Sequence, residues 1–176
     1  MSGDQPEAAT EHPELWGFLA SLRPGEVLSG TVAAIERFGV FVDLDDGPDH
    51  PVFPGVGFVT IPELAWEHFD DPADIVRVGQ RVTGEFLQFD TTNGEARLSL
   101  RALRPDPFKE FARRHHAGQS LDGTVTKVVP FGVFVRVADG VEGLVKGADD
   151  AVRPGERVTV VITAIDLERR TLKLAR

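Results

Sequence analysis

The sequence of 176 residues predicts a mainly β protein with two tandem small barrels or sandwiches of five antiparallel strands, each preceded by a short helix. Two observations lead to this prediction. The chain contains an internal repeat. The repeated blocks are short and rich in Val, Ile, Phe and Thr, and clusters of Gly, Asp and Pro separate them, which is typical of strands joined by turns.

The repeat is clearest where seventeen residues from Leu28 match seventeen residues from Leu121 at nine positions, with an offset of 93. Later blocks match at smaller offsets, so the second copy has shorter connections, and we expect these variable segments to be loops. The last match aligns RLSL from Arg97 with TLKL from Thr171 at an offset of 74, which implies two extra residues in the loop before Arg97.

Each copy begins with a helix-like segment. In the second copy Asp106 fits an N-cap, Pro107 takes the first helical position and Gly118 ends the segment. In the first copy Pro13 begins the matching stretch and Gly25 ends it. The predicted strands lie near residues 26–36, 38–44, 56–60, 81–89 and 95–101 in the first copy, and near 119–129, 131–137, 142–146, 157–165 and 170–174 in the second.

Charge divides the chain in a similar way. The formal net charge is −9, from 19 basic and 28 acidic residues, which argues against a surface that is basic all over and binds any nucleic acid. Residues 1–23 carry a net charge of −3, residues 24–103 of −9 and residues 104–176 of +3. We expect residues 1–10 to form a disordered tail. The predicted parts are a tail with a leading helix at 1–23, an acidic barrel at 24–103, a linker helix at 104–118 and a mildly basic barrel at 119–176.

Composition excludes several classes of protein. With 41% hydrophobic and 27% charged residues, the chain is typical of a soluble globular protein. No apolar run approaches the ~20 residues that cross a bilayer, so we expect no membrane span. The first residues lack a secretory signal, and we therefore expect a cytoplasmic protein. The absence of cysteine excludes disulfides, thiol nucleophiles and thiolate metal sites.

Motifs for chemistry are lacking as well. The acidic segment DLDDGPDH, at 43–50, resembles a calcium loop, but its glycine is one position early and Pro54 stands where a calcium loop has glutamate, so we interpret it as a solvated turn. The polar segment at 62–74 fits a short helix that caps the first barrel. No catalytic triad, phosphate-binding glycine loop or carboxylate pair stands out, so we expect neither catalysis nor a cofactor nor a metal.

One aromatic side chain of the second copy is predicted on the polar face of a strand. Because side chains alternate along a strand, Val133, Val135 and Val137 share one face, which we expect to be the core. Phe134 then stands with Arg136 on the solvent side. A phenyl ring beside a cation on an open sheet is the usual platform for stacking unpaired bases, at about 1–3 kcal/mol per base.

The first copy repeats this arrangement with Phe41 and Asp43 on the outer face. Phe38 and Phe131, which precede the glycine of each FG pair, would join the same surfaces. The alternative that the pattern leaves open is that these rings pack against the preceding helix or against the other domain.

These blocks resemble the RNA-binding repeat of ribosomal protein S-one, a five-stranded OB fold. The family pattern G-x-V-x-x-I-x-x-F-G-V-F-V, G-L-V, V-x-x-G-x-x-V and a closing L-S-L strand is similar to GTVAAIERFGVFV, GFV, VRVGQRV and RLSL in the first copy, and to GTVTKVVPFGVFV, GLV, VRPGERV and TLKL in the second. The resemblance covers residues 24–176 and implies two tandem OB-fold barrels.

The resemblance further implies that one face of each barrel binds single-stranded RNA through two aromatics, a histidine, an aspartate and an arginine. In the second copy these positions hold Phe131, Phe134, Lys146 in place of the histidine, Asp166 and Arg170. In the first copy they hold Phe38, Phe41, Thr60 in place of the histidine, Asp90 and Arg97.

Basic residues distinguish the two copies. Arg136, Lys146, Arg170 and Lys127 surround the aromatics of the second copy and would neutralise phosphates, whereas residues 24–103 contain no lysine. We therefore expect non-catalytic binding of messenger or ribosomal RNA in translation or RNA metabolism, mainly by the second domain. The small ribosomal subunit or other proteins of RNA metabolism are the expected partners. The alternative is a protein-docking module whose acidic first barrel contacts a basic ribosomal, polymerase or nuclease surface.

Overall fold

The computed structural model describes residues 11–147 and 151–176, so the predicted tail at 1–10 lies outside the described residues. The chain forms two units with separate cores, divided between Pro105 and Asp106. The helices are α1 (Pro13–Ser21) and α2 (Pro107–Arg114). The strands of the first unit are β1 (Val27–Glu36), β2 (Gly39–Leu44), β3 (Gly57–Thr60), β4 (Arg81–Asp90) and β5 (Glu95–Ser99). Those of the second are β6 (Ser120–Val129), β7 (Gly132–Ala138), β8 (Val141–Lys146), β9 (Arg157–Asp166) and β10 (Thr171–Ala175).

Each unit is a closed five-stranded barrel, which confirms the predicted fold class. The strand order is β1-β2-β3-β5-β4 in the first barrel, and β4 pairs with β1 to close it. The second barrel has the equivalent order β6-β7-β8-β10-β9. All neighbours are antiparallel except β3 with β5 and β8 with β10, which are parallel. These parallel pairs correct the expectation of purely antiparallel barrels.

Alternation along the strands separates the core of each barrel from its outer face. Val40 and Val42 of β2 are fully buried in the first core, and Val133 and Val135 of β7 are buried in the second. Val137, which we predicted in the core, packs at its margin and is half-buried because a β-bulge interrupts the pairing beside it. The intervening positions of β2 and β7, which include Phe41 and Phe134, lie on the outer faces.

The leading helices begin where predicted and pack on their own barrels, but they end at Ser21 and Arg114, four residues before the glycines that were predicted to end them. In α2 the Asp106 carboxylate accepts a hydrogen bond of 2.9 Å from the Phe108 amide, which satisfies one of the free N–H groups of the first turn. Phe108 and Phe111 are buried in the second core. Leu15 and Leu19 of α1 take the same role in the first core.

The prediction of a short helix at 62–74 is wrong. This segment contains two 3-10 turns, Ile61–Glu63 and Pro72–Asp74, and no α-helix. Pro72 has no N–H group to continue a helix that begins before it, so the prediction placed a single helix across a residue that interrupts one.

No helix within the described residues is long and apolar enough to cross a membrane. Residues 11–147 and 151–176 also bring together no group of three His, Asp or Glu side chains that would hold a metal ion.

Candidate nucleic-acid interface

An edge-to-face pair of phenylalanines recurs at the same place on both barrels. The Phe38 and Phe41 rings lie 6.1 Å apart at 83°, and the Phe131 and Phe134 rings lie 6.3 Å apart at 88°. Phe38 and Phe131 are each 62% exposed, so neither packs against the preceding helix. The repeated geometry indicates that the F-G-V-F block positions the same pair of rings on both barrels.

The glycine inside each block is required by the neighbouring strand. A Cβ at Gly132 would lie 2.5 Å from the Val145 carbonyl oxygen, closer than carbon and oxygen approach without bonding. At Gly39 a Cβ would lie 2.6 Å from the Val59 carbonyl oxygen. Glycine therefore brings β7 and β8, and likewise β2 and β3, together directly beside the aromatic pair.

A row of four side chains crosses the outer face of the second barrel. The sheet register pairs Lys127 with Phe134 across β6 and β7, Phe134 with Leu144 across β7 and β8, and Leu144 with Lys173 across β8 and β10. Both lysines are exposed, and neither has an ion pair among the described residues. Phe134 is half-buried. The row therefore has a lysine at each end and Phe134 and Leu144 between them.

Two further predicted cations lie on the same outer surface of the second barrel. Lys146 is exposed and pairs in register with Gly132, next to the exposed Phe131. Arg136 is also exposed, but it lies opposite Glu142 in the register. An acidic residue across the strand reduces the positive potential at Arg136 relative to that at Lys146.

The structure assigns Arg170 to the contact between the last hairpin and α2, which differs from the predicted place among the aromatics. Its guanidinium forms an ion pair with the Asp106 carboxylate and lies 5.3 Å from the centre of the Phe108 ring. Burial acts to raise the pKa of Asp106, but the hydrogen bonds from Arg170 and the Phe108 amide, with the charge of Arg170, hold it below its ordinary value. Asp166 is half-buried and accepts a hydrogen bond of 3.0 Å from the Arg169 amide.

The two β-hairpins that carry these residues have equal length, which corrects the predicted two-residue difference. Asp90 pairs with Glu95 in the first barrel, and Asp166 pairs with Thr171 in the second, so each turn contains four residues. The alignment of RLSL with TLKL slipped by two residues, and such a slip preserves the inside-outside alternation that a sequence pattern detects.

The corrected register changes two assignments. Arg170 is equivalent to Gly94, and both residues adopt a positive φ, +53° and +71° respectively. Lys173 is equivalent to Arg97, since Arg97 pairs with Phe58 of β3 as Lys173 pairs with Leu144 of β8. Lys173 is thus a surface cation that sequence reasoning missed, and the equal hairpin length was the signal that would have located it.

In the first barrel the aromatic face is covered. We expected Phe41 to be exposed, but it is only 4% exposed, so that expectation is wrong. The Phe53 ring from the β2–β3 connection stacks on Phe41 at 5.1 Å and 25°. The centre of the Phe58 ring, on the neighbouring strand β3, lies 5.0 Å from that of Phe41. Of the predicted aromatics on this barrel, only Phe38 remains open to solvent.

The arginine of the first face is paired with carboxylates. Arg97 makes contacts of 3.3 Å to both Asp90 and Glu95, and its guanidinium lies 5.4 Å from the centre of the Phe58 ring. Burial raises the pKa of Glu95 against the opposing charge of Arg97. Thr60 replaces Lys146 and pairs in register with Gly39. The first face therefore lacks the unpaired lysines of the second.

Comparison with known proteins gives consistent matches over both units. The profile of the S1 RNA binding domain matches residues 21–101 and 114–176. The chain is 42% identical over 168 residues to the small ribosomal subunit protein bS1 of Mycolicibacterium smegmatis, covering 90% of this chain and 33% of that protein. It is 32% identical over 167 residues to bS1 of Staphylococcus saprophyticus, covering 89% and 40%. This chain thus spans about a third of the length of the mycobacterial relative.

Among solved structures, a chain of the a/eIF2alpha-aDim2p-rRNA complex from Pyrococcus horikoshii matches with 28% identity and a TM-score of 0.40. That match covers 52% of each chain.

Proposed function

The chain belongs to the S1 RNA-binding domain family, and from this premise we propose that it binds single-stranded RNA without catalysis, mainly through its second barrel. The observation that supports the proposal is the row Lys127, Phe134, Leu144 and Lys173, beside the exposed ring of Phe131. Aromatic rings beside cations on an open sheet stack bases and contact the backbone between them.

Each part of this surface has a separate task in the proposal. Phe131, which is 62% exposed, and Phe134 stack unpaired bases, each worth about 1–3 kcal/mol. Lys127, Lys146 and Lys173 contact phosphates and release counterions, which makes the affinity depend on salt. Asp166 lies at the end of β9 in the hairpin that carries Lys173 and serves as a hydrogen-bond acceptor for a base or ribose.

The cellular context follows from the relatives. Since proteins 42% and 32% identical to this chain are small ribosomal subunit proteins, we propose that it acts in translation in the cytoplasm. Messenger or ribosomal RNA is the proposed ligand, and the small ribosomal subunit is the proposed larger partner.

The test is a titration of the full chain with a labelled single-stranded RNA of about 12 nucleotides at about 50 mM and about 200 mM salt. Replacing Phe131 with Ala removes the exposed ring of the second barrel and should weaken binding by about tenfold. Phe38→Ala is the matched control, because Phe38 has the same 62% exposure and the same edge-to-face partner on the first barrel. An equal loss in both variants would contradict the preference for the second barrel, and no binding by the unaltered chain at the lower salt would contradict RNA binding itself.

Charge favours a second candidate function for the first barrel. Residues 24–103 contain five basic and fourteen acidic residues, so they repel RNA and attract basic partners. We propose that this barrel docks a basic protein surface, with Phe38 as the apolar anchor. Binding of a basic ribosomal protein that survives ribonuclease treatment and is lost in Phe38→Ala would support docking, whereas binding that disappears with the RNA would exclude it.

A further inference from the structure

The two barrels differ in the connection that precedes the third strand. In the second barrel β7 and β8 are joined by residues 139–140, whereas in the first barrel residues 45–56 join β2 and β3. We call residues 45–56 the strap. The strap carries Phe53, the ring that covers Phe41.

Side-chain contacts hold the strap at its beginning and near its middle. Asp45 accepts two hydrogen bonds of 2.6 Å from the Arg81 guanidinium of β4. The Nδ1 atom of His50 accepts hydrogen bonds of 3.0 Å from the amides of Val52 and Phe53, and its Nε2 atom donates one of 2.8 Å to the Asn93 carbonyl. His50 therefore fixes the backbone at Phe53 and fastens it to the β4–β5 turn.

Phe53 lies on Phe41 as a bound base would lie. Two aromatic rings at 5.1 Å and 25° are in an offset stack, which is also the arrangement in which bases stack on phenylalanine. Phe53 remains half-buried and belongs to no core cluster, so its position is not needed to fill the barrel. Phe134, the equivalent of Phe41, has no ring contact other than Phe131 among the described residues.

We propose that Phe53 takes the place of a nucleobase on Phe41, so that the strap excludes unpaired RNA from the first barrel and thereby determines which barrel binds it. This inference rests on the proposed RNA-binding function, and it adds a specificity-determining residue outside the family block that builds the aromatic pair. The pairing of Arg97 with Asp90 and Glu95 acts in the same direction. Even when the strap is displaced, RNA on the first barrel finds no unpaired cation on β5.

The experiment uses the full chain with Phe131→Ala and Phe134→Ala, which removes the stacking rings of the second barrel. Into this background Phe53→Ala is introduced, and ultraviolet crosslinks to a single-stranded RNA are located by peptide mass spectrometry at low salt. We expect crosslinks at the β2 peptide with Phe38 and Phe41 to increase about tenfold, within the range that one stacked base contributes. Val52→Ala is the matched control, since Val52 is adjacent in the strap and 76% exposed, and it should produce no increase.

A second variant tests the same inference without removing a ring. His50→Ala releases the strap from the Asn93 carbonyl and should also increase crosslinks at β2, by less than Phe53→Ala does. Thermal melting of each variant shows whether the first barrel stays folded. No increase at β2 in folded Phe53→Ala and His50→Ala overturns the inference. Binding of RNA by the unaltered chain is measured separately, so a failure of the strap inference is distinguishable from a failure of RNA binding.

Discussion

Lys173 of the second barrel occupies the register position that Arg97 occupies in the first, but only Arg97 is paired with carboxylates. The two cations therefore differ in what they offer to a phosphate. Arg97 already has two anionic partners, whereas Lys173 is exposed and has none among the described residues. A phosphate that approaches Lys173 meets a full positive charge.

Replacing Lys173 with Gln should weaken RNA binding and reduce its dependence on salt. The slope of log K against log salt is negative, and one lost phosphate contact makes it less steep by about 0.7 for single-stranded nucleic acid. Titrations at three or more salt concentrations measure this slope. Arg97→Gln is the control at the equivalent position and should leave the slope unchanged. A less steep slope for Arg97→Gln than for Lys173→Gln would contradict the assignment of the phosphate contact to Lys173.

Replacing Arg170 with Gln should reduce the stability of the second barrel and leave its RNA affinity within about twofold. The reason is that the Arg170 guanidinium contacts Asp106 and the Phe108 ring, which belong to the start of α2. The loss of a partly buried charged hydrogen bond costs about 1–2 kcal/mol. Thermal or urea unfolding measures the stability, and the RNA titration measures the affinity. A large loss of affinity without loss of stability would restore Arg170 to the RNA-binding surface.

The pH dependence of stability should identify the Asp106 carboxylate as the partner of Arg170. Because the pKa of Asp106 in the folded protein lies below its ordinary value of 3.8, its charge stabilises the folded state fully above pH 3.8. That contribution is lost as the pH falls through the lowered pKa. We therefore expect Asp106→Asn to be less stable than the unaltered chain by about 1 kcal/mol at pH 5–7.

The difference between the two proteins should narrow below pH 3.8, since protonation then removes the charge from the unaltered chain as well. Asparagine still accepts the hydrogen bond from the Phe108 amide, so this substitution isolates the charge from the N-cap. Urea unfolding of both proteins at several pH values measures the difference. A difference that stays constant down to pH 2 would contradict a contribution from the Asp106 charge.

Local pattern was sufficient to predict the strands but not the contacts between distant segments. β1, for example, was predicted at 26–36 and lies at Val27–Glu36, because alternation and turn residues define a strand locally. The position of Phe53 on Phe41 depends on how residues 45–56 fold back over the barrel, and no periodicity encodes that return. Arg170 was misplaced for a related reason, since its partner Asp106 lies 64 residues away in the sequence.

The glycine between Phe131 and Phe134 offers a test of how the proposed RNA-binding surface is built. Gly132→Ala would bring a Cβ to 2.5 Å from the Val145 carbonyl oxygen, and this backbone atom has no freedom to move without displacing β8. We expect a loss of about 1–3 kcal/mol in the free energy of unfolding, together with weaker RNA binding, because the displacement separates Phe134 from Leu144 and Lys146 from Phe131.

Gly147→Ala serves as the control, because Gly147 follows the end of the neighbouring strand β8 and no atom lies within 4 Å of the added Cβ. Its positive φ of 101° makes it strained as well, so a loss of stability in Gly147→Ala without a loss of RNA affinity would separate strain from the geometry of the surface. If Gly132→Ala unfolds at the same denaturant concentration as the unaltered chain and binds RNA equally well, then the close approach of β7 and β8 is not what positions the aromatic pair.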